Sequence, residues 1–237
     1  MSYERRQVDE RLEPVWNARL APPESLVAAI SGRVCRDLRT VKPVPSPTGI
    51  AARLFLVVVL TAMATGSLVG LGGLGHMSWT QRLLISAALA AGAAVLTLSL
   101  GWQAIPGSLQ RYSPLSAALL ALGSFLASVA ALFPLRQTEA AWETGFRCTR
   151  GGLGLALPAA FLIWLVIRRG AAQSHALTGT TIGATAGLVS VAALQFHCDQ
   201  QEMAHLSIWH GVVVILSGFS GFVVGSAVRR WGPAERI

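Results

Sequence analysis

Six blocks of the chain, residues 52–74, 83–105, 113–135, 151–167, 176–196 and 206–228, carry no Asp, Glu, Lys or Arg away from their ends. A charge at the centre of a spanning helix costs roughly 2.5–3.5 kcal/mol, so uncharged blocks of this length are what hydrocarbon selects. A bilayer core about 30 Å thick asks for about 20 helical residues, and each block comes near that length. The fourth is the shortest, and Gly152, Gly154 and Pro158 weaken it as an isolated helix, so it is expected to span while leaning on its neighbours. With 53% hydrophobic against 13% charged residues, the composition points the same way. The expected fold is an all-α membrane protein: six transmembrane helices preceded by a short cytosolic N-terminal amphipathic helix.

Charge then orients the spans. A net +8 could signal nucleic-acid binding if it formed a stripe, but the basic residues sit at the ends of apolar blocks, where topology accounts for them and no direct contact with nucleic acid is expected. With the N-terminus inside, fifteen of the nineteen Lys and Arg fall on the cytoplasmic side: nine up to Arg53, then Arg111, Arg168, Arg169, Arg229, Arg230 and Arg236. The outer side keeps four, Arg82, Arg136, Arg147 and Arg150. Residues 1–51 are therefore expected as a cytosolic tail, 52–228 as a multi-pass domain in a bacterial inner membrane, and 229–237 as a cytosolic C-terminus. The polar opening and the full-length first block give no sign of a cleavable signal peptide.

Motifs for ordinary enzyme chemistry are lacking: the sequence has no phosphate loop with Lys, no HExxH and no recognisable Ser, His, Asp set. Glycine pairs at Gly66/Gly70, Gly179/Gly183/Gly187 and Gly221/Gly225 read as helix packing positions. Ionisable groups at depth, which ion and proton pathways need, are missing from the blocks, which ranks a small-solute transporter third among the readings.

The polar residues that remain concentrate at one place. Cys148 stands before the fourth block and Cys198 after the fifth, so both belong to the outer face, whereas Cys35 belongs to the tail. Blocks four and five form a hairpin whose outer ends are neighbours, close enough for a disulfide in a compartment that permits one. Such a bond would stabilise by roughly 4 kcal/mol on the chain-entropy model, leaving a structural staple and a sensory thiol pair as equal readings. His197, Asp199, Glu202, His205 and His210 surround the pair with soft and borderline metal ligands. The spacing fits no CxxC and no helical i, i+4 histidine pair, so interfacial packing of the histidines beside Trp209 stands as the plainer alternative. No cofactor is expected to be required, and a transient metal ion at Cys148/Cys198 stays open.

In the tail, residues 24–42 lie between Pro22-Pro23 and Pro43 and place Leu26, Val27, Ile30, Val34, Leu38 and Val41 within an arc of about 120°. Gly32 weakens this helix by about 1 kcal/mol, which fits ordering on a partner. That partner is either the lipid surface or a soluble protein with an apolar groove. Residues 43–49, PVPSPTG, form a stiff linker to the first block.

In this order, DLRTVKPVP (37–45), Arg147-Cys148, RRGA (168–171), His197-Cys198, Trp209-His210 and Arg230-Trp231 make the chain, over about residues 24–231, resemble the NrsF family, negative regulators of sigma F. The resemblance implies a membrane-bound anti-sigma factor that holds an extracytoplasmic-function sigma factor through its tail and lets it go under stress, heavy metals or oxidants being the stimuli. It gives Cys148 and Cys198 the sensing role, and Leu38, Val41, Pro43 and Val44 a part in sigma binding, to which the apolar face adds Leu26, Ile30 and Val34. The rival from another class is a membrane enzyme passing electrons between outer thiols and quinone, for which the usual CxxC is lacking.

Overall fold

The computed structural model describes residues 23–37, 46–105, 107, 113–135, 141–168, 170 and 174–231. Helix α1, Glu24–Asp37, belongs to one compact unit. The second unit holds α2 (Pro47–Val69), a 3-10 turn (Gly72–His76), α3 (Trp79–Gln103), α4 (Pro114–Leu132), α5 (Ala141–Ile167) and α6 (His175–His197). A final helix follows, built from one α turn (Met203–His205), a π turn (Leu206–His210) and α7 (Gly211–Trp231). Six of these helices are long and apolar enough to cross a membrane, and no strand occurs among the described residues.

Serine caps set several boundaries. Ser46, Ser78, Ser113 and Ser174 each accept a backbone N–H in the first turn of the helix they open, and Pro follows directly at α2 and α4. Each cap satisfies an otherwise orphaned donor and is worth about 1 kcal/mol. At Ser78 the cap is reciprocal, because Gln81 Oε1 accepts the Ser78 N–H at 2.8 Å. The helix bounds differ from those expected. Helix α2 starts at Pro47, so the linker expected over 43–49 is cut short at Ser46. The fourth span is not the shortest: α5 runs 27 residues because it begins ten residues before Gly151 and carries Pro158 inside it. In the tail, α1 covers the first part of the 24–42 helix, and the rest lies outside the described residues.

Helix α6 is the axis of the bundle. It touches every other span, and 72% of its apolar stretch is buried against 22–39% for the other five. Its closest partner is α7. A Cβ on Gly179 would run into the Gly221 carbonyl, one on Gly183 into the Ser217 carbonyl, one on Gly187 into the Val214 backbone and one on Gly225 into the His175 carbonyl. The backbones therefore meet directly, as small-residue spacings allow. The pair in the first span works otherwise: Gly66 faces only a Leu71 methyl, and Gly70 ends α2 with a φ of 92°. Near its start α6 is pinned to α3, where Gln103 donates to Thr181 Oγ1 at 3.2 Å and accepts from Thr178 Oγ1 at 2.9 Å.

The axis makes a test of packing. Gly183→Leu would force α6 from α7 and lower stability by about 2 kcal/mol or more, read as a drop in thermal midpoint in detergent. Gly66→Ala, whose Cβ would make only an ordinary contact with a Leu71 methyl at 3.8 Å, should not lower that midpoint.

Candidate functional site: a thiol and imidazole cluster

Cys198 is the residue that closes α6, its N–H donating to the Leu194 carbonyl at 2.8 Å. The loop after it is drawn tight by two glutamines. Gln201 Nε2 donates to the Cys198 carbonyl at 2.6 Å and to the Gln195 carbonyl at 3.0 Å, while Gln195 Nε2 donates to Gln201 Oε1 at 2.8 Å. From the other side the 3-10 turn presses in so closely that a Cβ on Gly73 would meet the Cys198 and Phe196 carbonyls. The Cys198 side chain is thereby held buried, at 4% exposure.

Cys148 comes from α5. Sequence reading places it before the fourth span, but the helix begins at Ala141 and carries it seven residues in. Gly145, Cys148, Thr149 and Gly152 share a face at i, i+3, i+4 and i+7. That face meets the final helix: Gly145 lies against the Trp209 indole with no room for a Cβ, Gly152 lies against Leu194 and Val213, and Thr149 Oγ1 donates to the Trp209 carbonyl at 3.3 Å. Trp142 adds an edge-on contact to Trp209 with ring centroids 5.3 Å apart.

The two imidazoles come from the start of the final helix. His205 and His210 are five residues apart, which on an α-helix would turn them about 140° from one another. The π turn at Leu206–His210 removes that mismatch, since its i to i+5 step stacks residues five apart. The two rings pack edge-on with centroids 5.6 Å apart, and both are buried, His205 at 4% and His210 at 0% exposure.

Four side chains thus converge. Cys148 Sγ lies 3.6 Å from Cys198 Sγ, and Cys198 Sγ lies 3.5 Å from His205 Nε2. One ligand atom from each of Cys148, Cys198, His205 and His210 lies within 4.8 Å of the others. Both cysteines are free thiols. His205 Nδ1 and both ring nitrogens of His210 are buried without a hydrogen bond of regular geometry, the His210 ring interacting with the nearby Cys198 thiol more loosely. The Cys148 hydrogen bond first, then burial, push the Cys198 thiol up from its ordinary range, while the His205 and His210 rings pull it the other way.

Of the seven residues marked in the sequence as thiol or ligand candidates, these four meet and three do not. His197 is exposed beside Gly70. Asp199 turns outward, with Oδ1 3.7 Å from His76 Nε2 and both groups largely exposed. Glu202 stands at the start of the final helix, where its carbonyl accepts the Leu206 N–H at 3.0 Å. In the tail, Leu26 and Ile30 are half exposed on α1, Val34 is on the same helix, and Leu38, Val41, Pro43 and Val44 lie outside the described residues. Gly145 and Thr149 were missed, and nothing in the sequence but their helical spacing from Cys148 marks them.

Fold and site together define a six-span helical membrane protein with a pair of thiols, one half-buried and one buried, and a buried pair of imidazoles at one end of its bundle. A family model described as NrsF, negative regulator of sigma F, matches residues 34–231, and the chain belongs to that family. The match takes in all six spans and all four residues of the cluster. Comparison with curated proteins and with solved structures gives no match.

A thiol held above its ordinary range carries less thiolate at neutral pH than a free cysteine, and thiolate is the reacting form. Alkylation of Cys198, followed by peptide mass spectrometry, should therefore accelerate only at higher pH than for a free thiol. Cys148→Ala removes the largest cause and should move that rise to lower pH. Identical profiles in the two proteins would rule out the Cys148 hydrogen bond as the cause.

Proposed function

We propose that this protein is a membrane-bound anti-sigma factor: it holds an extracytoplasmic-function sigma factor through its N-terminal tail and releases it when Cys148 and Cys198 respond to a heavy metal or an oxidant. It belongs in a bacterial inner membrane with both termini in the cytoplasm, an orientation supported by the excess of Lys and Arg in the segments on that side. The observation that carries the reading is the approach of Cys148 and Cys198, fifty positions apart, to 3.6 Å at the end of the bundle opposite to Pro47, where the tail joins. A thiol pair on one side of the bilayer and a docking segment on the other are the two ends that a signalling protein needs.

Support at the tail end comes from α1. Leu26, Val27 and Ile30 stand half exposed on one side of it, at 50%, 45% and 53%. Apolar groups at i and i+4 are the anchors by which a helix docks into a groove of a partner protein. In this reading the sigma factor supplies that groove and so cannot present it to RNA polymerase.

Two measurements test the proposal. In cells carrying a sigma-dependent reporter, Cys148→Ser and Cys198→Ser should each keep the reporter low under metal or oxidant stress, and an unchanged response would remove the thiols from sensing. Leu26→Asp together with Ile30→Asp should weaken co-purification of the sigma factor with the full-length protein by about 10-fold or more, which equals about 1.4 kcal/mol. Quinone-dependent thiol oxidation by the purified protein, with no sigma factor bound, would instead favour the redox enzyme.

A further inference from the structure

We propose that Cys148, Cys198, His205 and His210 form a four-ligand site for one borderline divalent cation, zinc or cadmium, in which the two histidines are ligands in their own right. For its place in signalling this rests on the sensing reading above; the binding itself does not.

The distances already approach those of a filled site. In a tetrahedral zinc site, Zn–S of about 2.3 Å and Zn–N of about 2.0–2.1 Å put neighbouring sulfurs about 3.8 Å apart and sulfur about 3.6 Å from nitrogen. Cys148 Sγ and Cys198 Sγ are 3.6 Å apart, and Cys198 Sγ is 3.5 Å from His205 Nε2. The longest separation among the four ligand atoms is 4.8 Å, so about an ångström of closure on the cation completes the shell.

The burial of His210 is an independent observation pointing to the same ligand. Its side chain is fully buried and neither ring nitrogen makes a hydrogen bond of regular geometry, although the Cys198 thiol lies near enough to interact with the ring. A buried polar group left unsatisfied is costly, so such a ring calls for an explanation. A cation taking one of its nitrogens supplies that partner. The local fold serves the same end, because the π turn is what brings two histidines five residues apart to one place, and π turns gather at functional positions.

Charge and softness select the class of ion. Binding displaces one proton from each thiol, and the two thiolates then balance the two positive charges while the imidazoles stay neutral. The filled site carries no net charge, which suits a buried place at the end of a membrane bundle. Two thiolates with two imidazoles favour zinc-like ions and select against magnesium and calcium, which take oxygen ligands. An oxidant would draw on the same two sulfurs, so a disulfide and a bound cation exclude each other.

The test uses the full-length protein in detergent, reduced with a phosphine and titrated with cobalt(II) as a spectroscopic probe. The expected result is one cobalt per chain, with sulfur-to-metal charge-transfer bands and the intense visible bands of a four-coordinate ion, all lost on adding zinc. X-ray absorption of the zinc-loaded, unmutated protein should show two sulfurs at about 2.3 Å and two nitrogens at about 2.0–2.1 Å, a readout that needs no variant. His205→Gln and His210→Gln should each weaken zinc binding by more than about 100-fold, beyond what losing a supporting residue costs. No stoichiometric uptake, or a zinc shell lacking either the sulfur pair or the nitrogen pair, would overturn the site. Zinc bound as described while the reporter ignores zinc and cadmium would overturn the sensing role and leave the site standing. A reporter that answers metal, with no binding by the purified protein, would overturn the site and leave the sensing role.

Discussion

Where Gly179, Gly183 and Gly187 of α6 meet Ser217, Gly221 and Gly225 of α7, two backbones come so close that a single Cβ would not fit between them. Lipid tails are as apolar as the helices, so hydrophobicity alone does not hold two spans together, and close van der Waals contact has to. With α7 locked on α6, the loop between them is short and its far end must turn back at once. Cys198 sits on one side of that turn, and His205 and His210 on the other. The cluster is therefore a by-product of helix packing many residues away, with Gln195 and Gln201 closing the loop locally.

The six spans were legible because hydrocarbon's rejection of charge leaves a mark that any reader of the chain can see. Their ends were less so. Apolarity marks where a helix is buried and not where its hydrogen bonds begin, and residues such as Trp142, Glu143 and Arg147 continue α5 well past its apolar part. Ser46 and Ser78 cap their helices, but hydroxyls of the same appearance occur inside the spans, where Thr61, Thr65 and Thr185 simply donate back to the preceding turn.

The site was half legible. A crowd of Cys, His, Asp and Glu between the fifth and sixth spans marked the region, and alternation of the spans put Cys148 at the same end. Which members converge depends on backbone geometry that the sequence does not advertise. Judged against α-helical spacing, His205 and His210 look mismatched, and only the π turn makes five residues the right interval. Asp199 and His197 look as promising as their neighbours, yet His197 on the last turn of α6 and Asp199 just past its end are both exposed.

Being enclosed on all sides has a further effect on α6. It is the least apolar of the six spans and carries Thr178, Thr180, Thr181, Thr185, Ser190 and Gln195, nearly all satisfied within the bundle. A segment delivered singly to the bilayer is judged on its own apolarity, and on that measure α6 is the weakest candidate of the set. It still qualifies as a span by length and composition, and its burial among the other five supplies what its own apolarity gives least of. The helix that hydrocarbon would favour least is thus the one that the fold shields most from hydrocarbon.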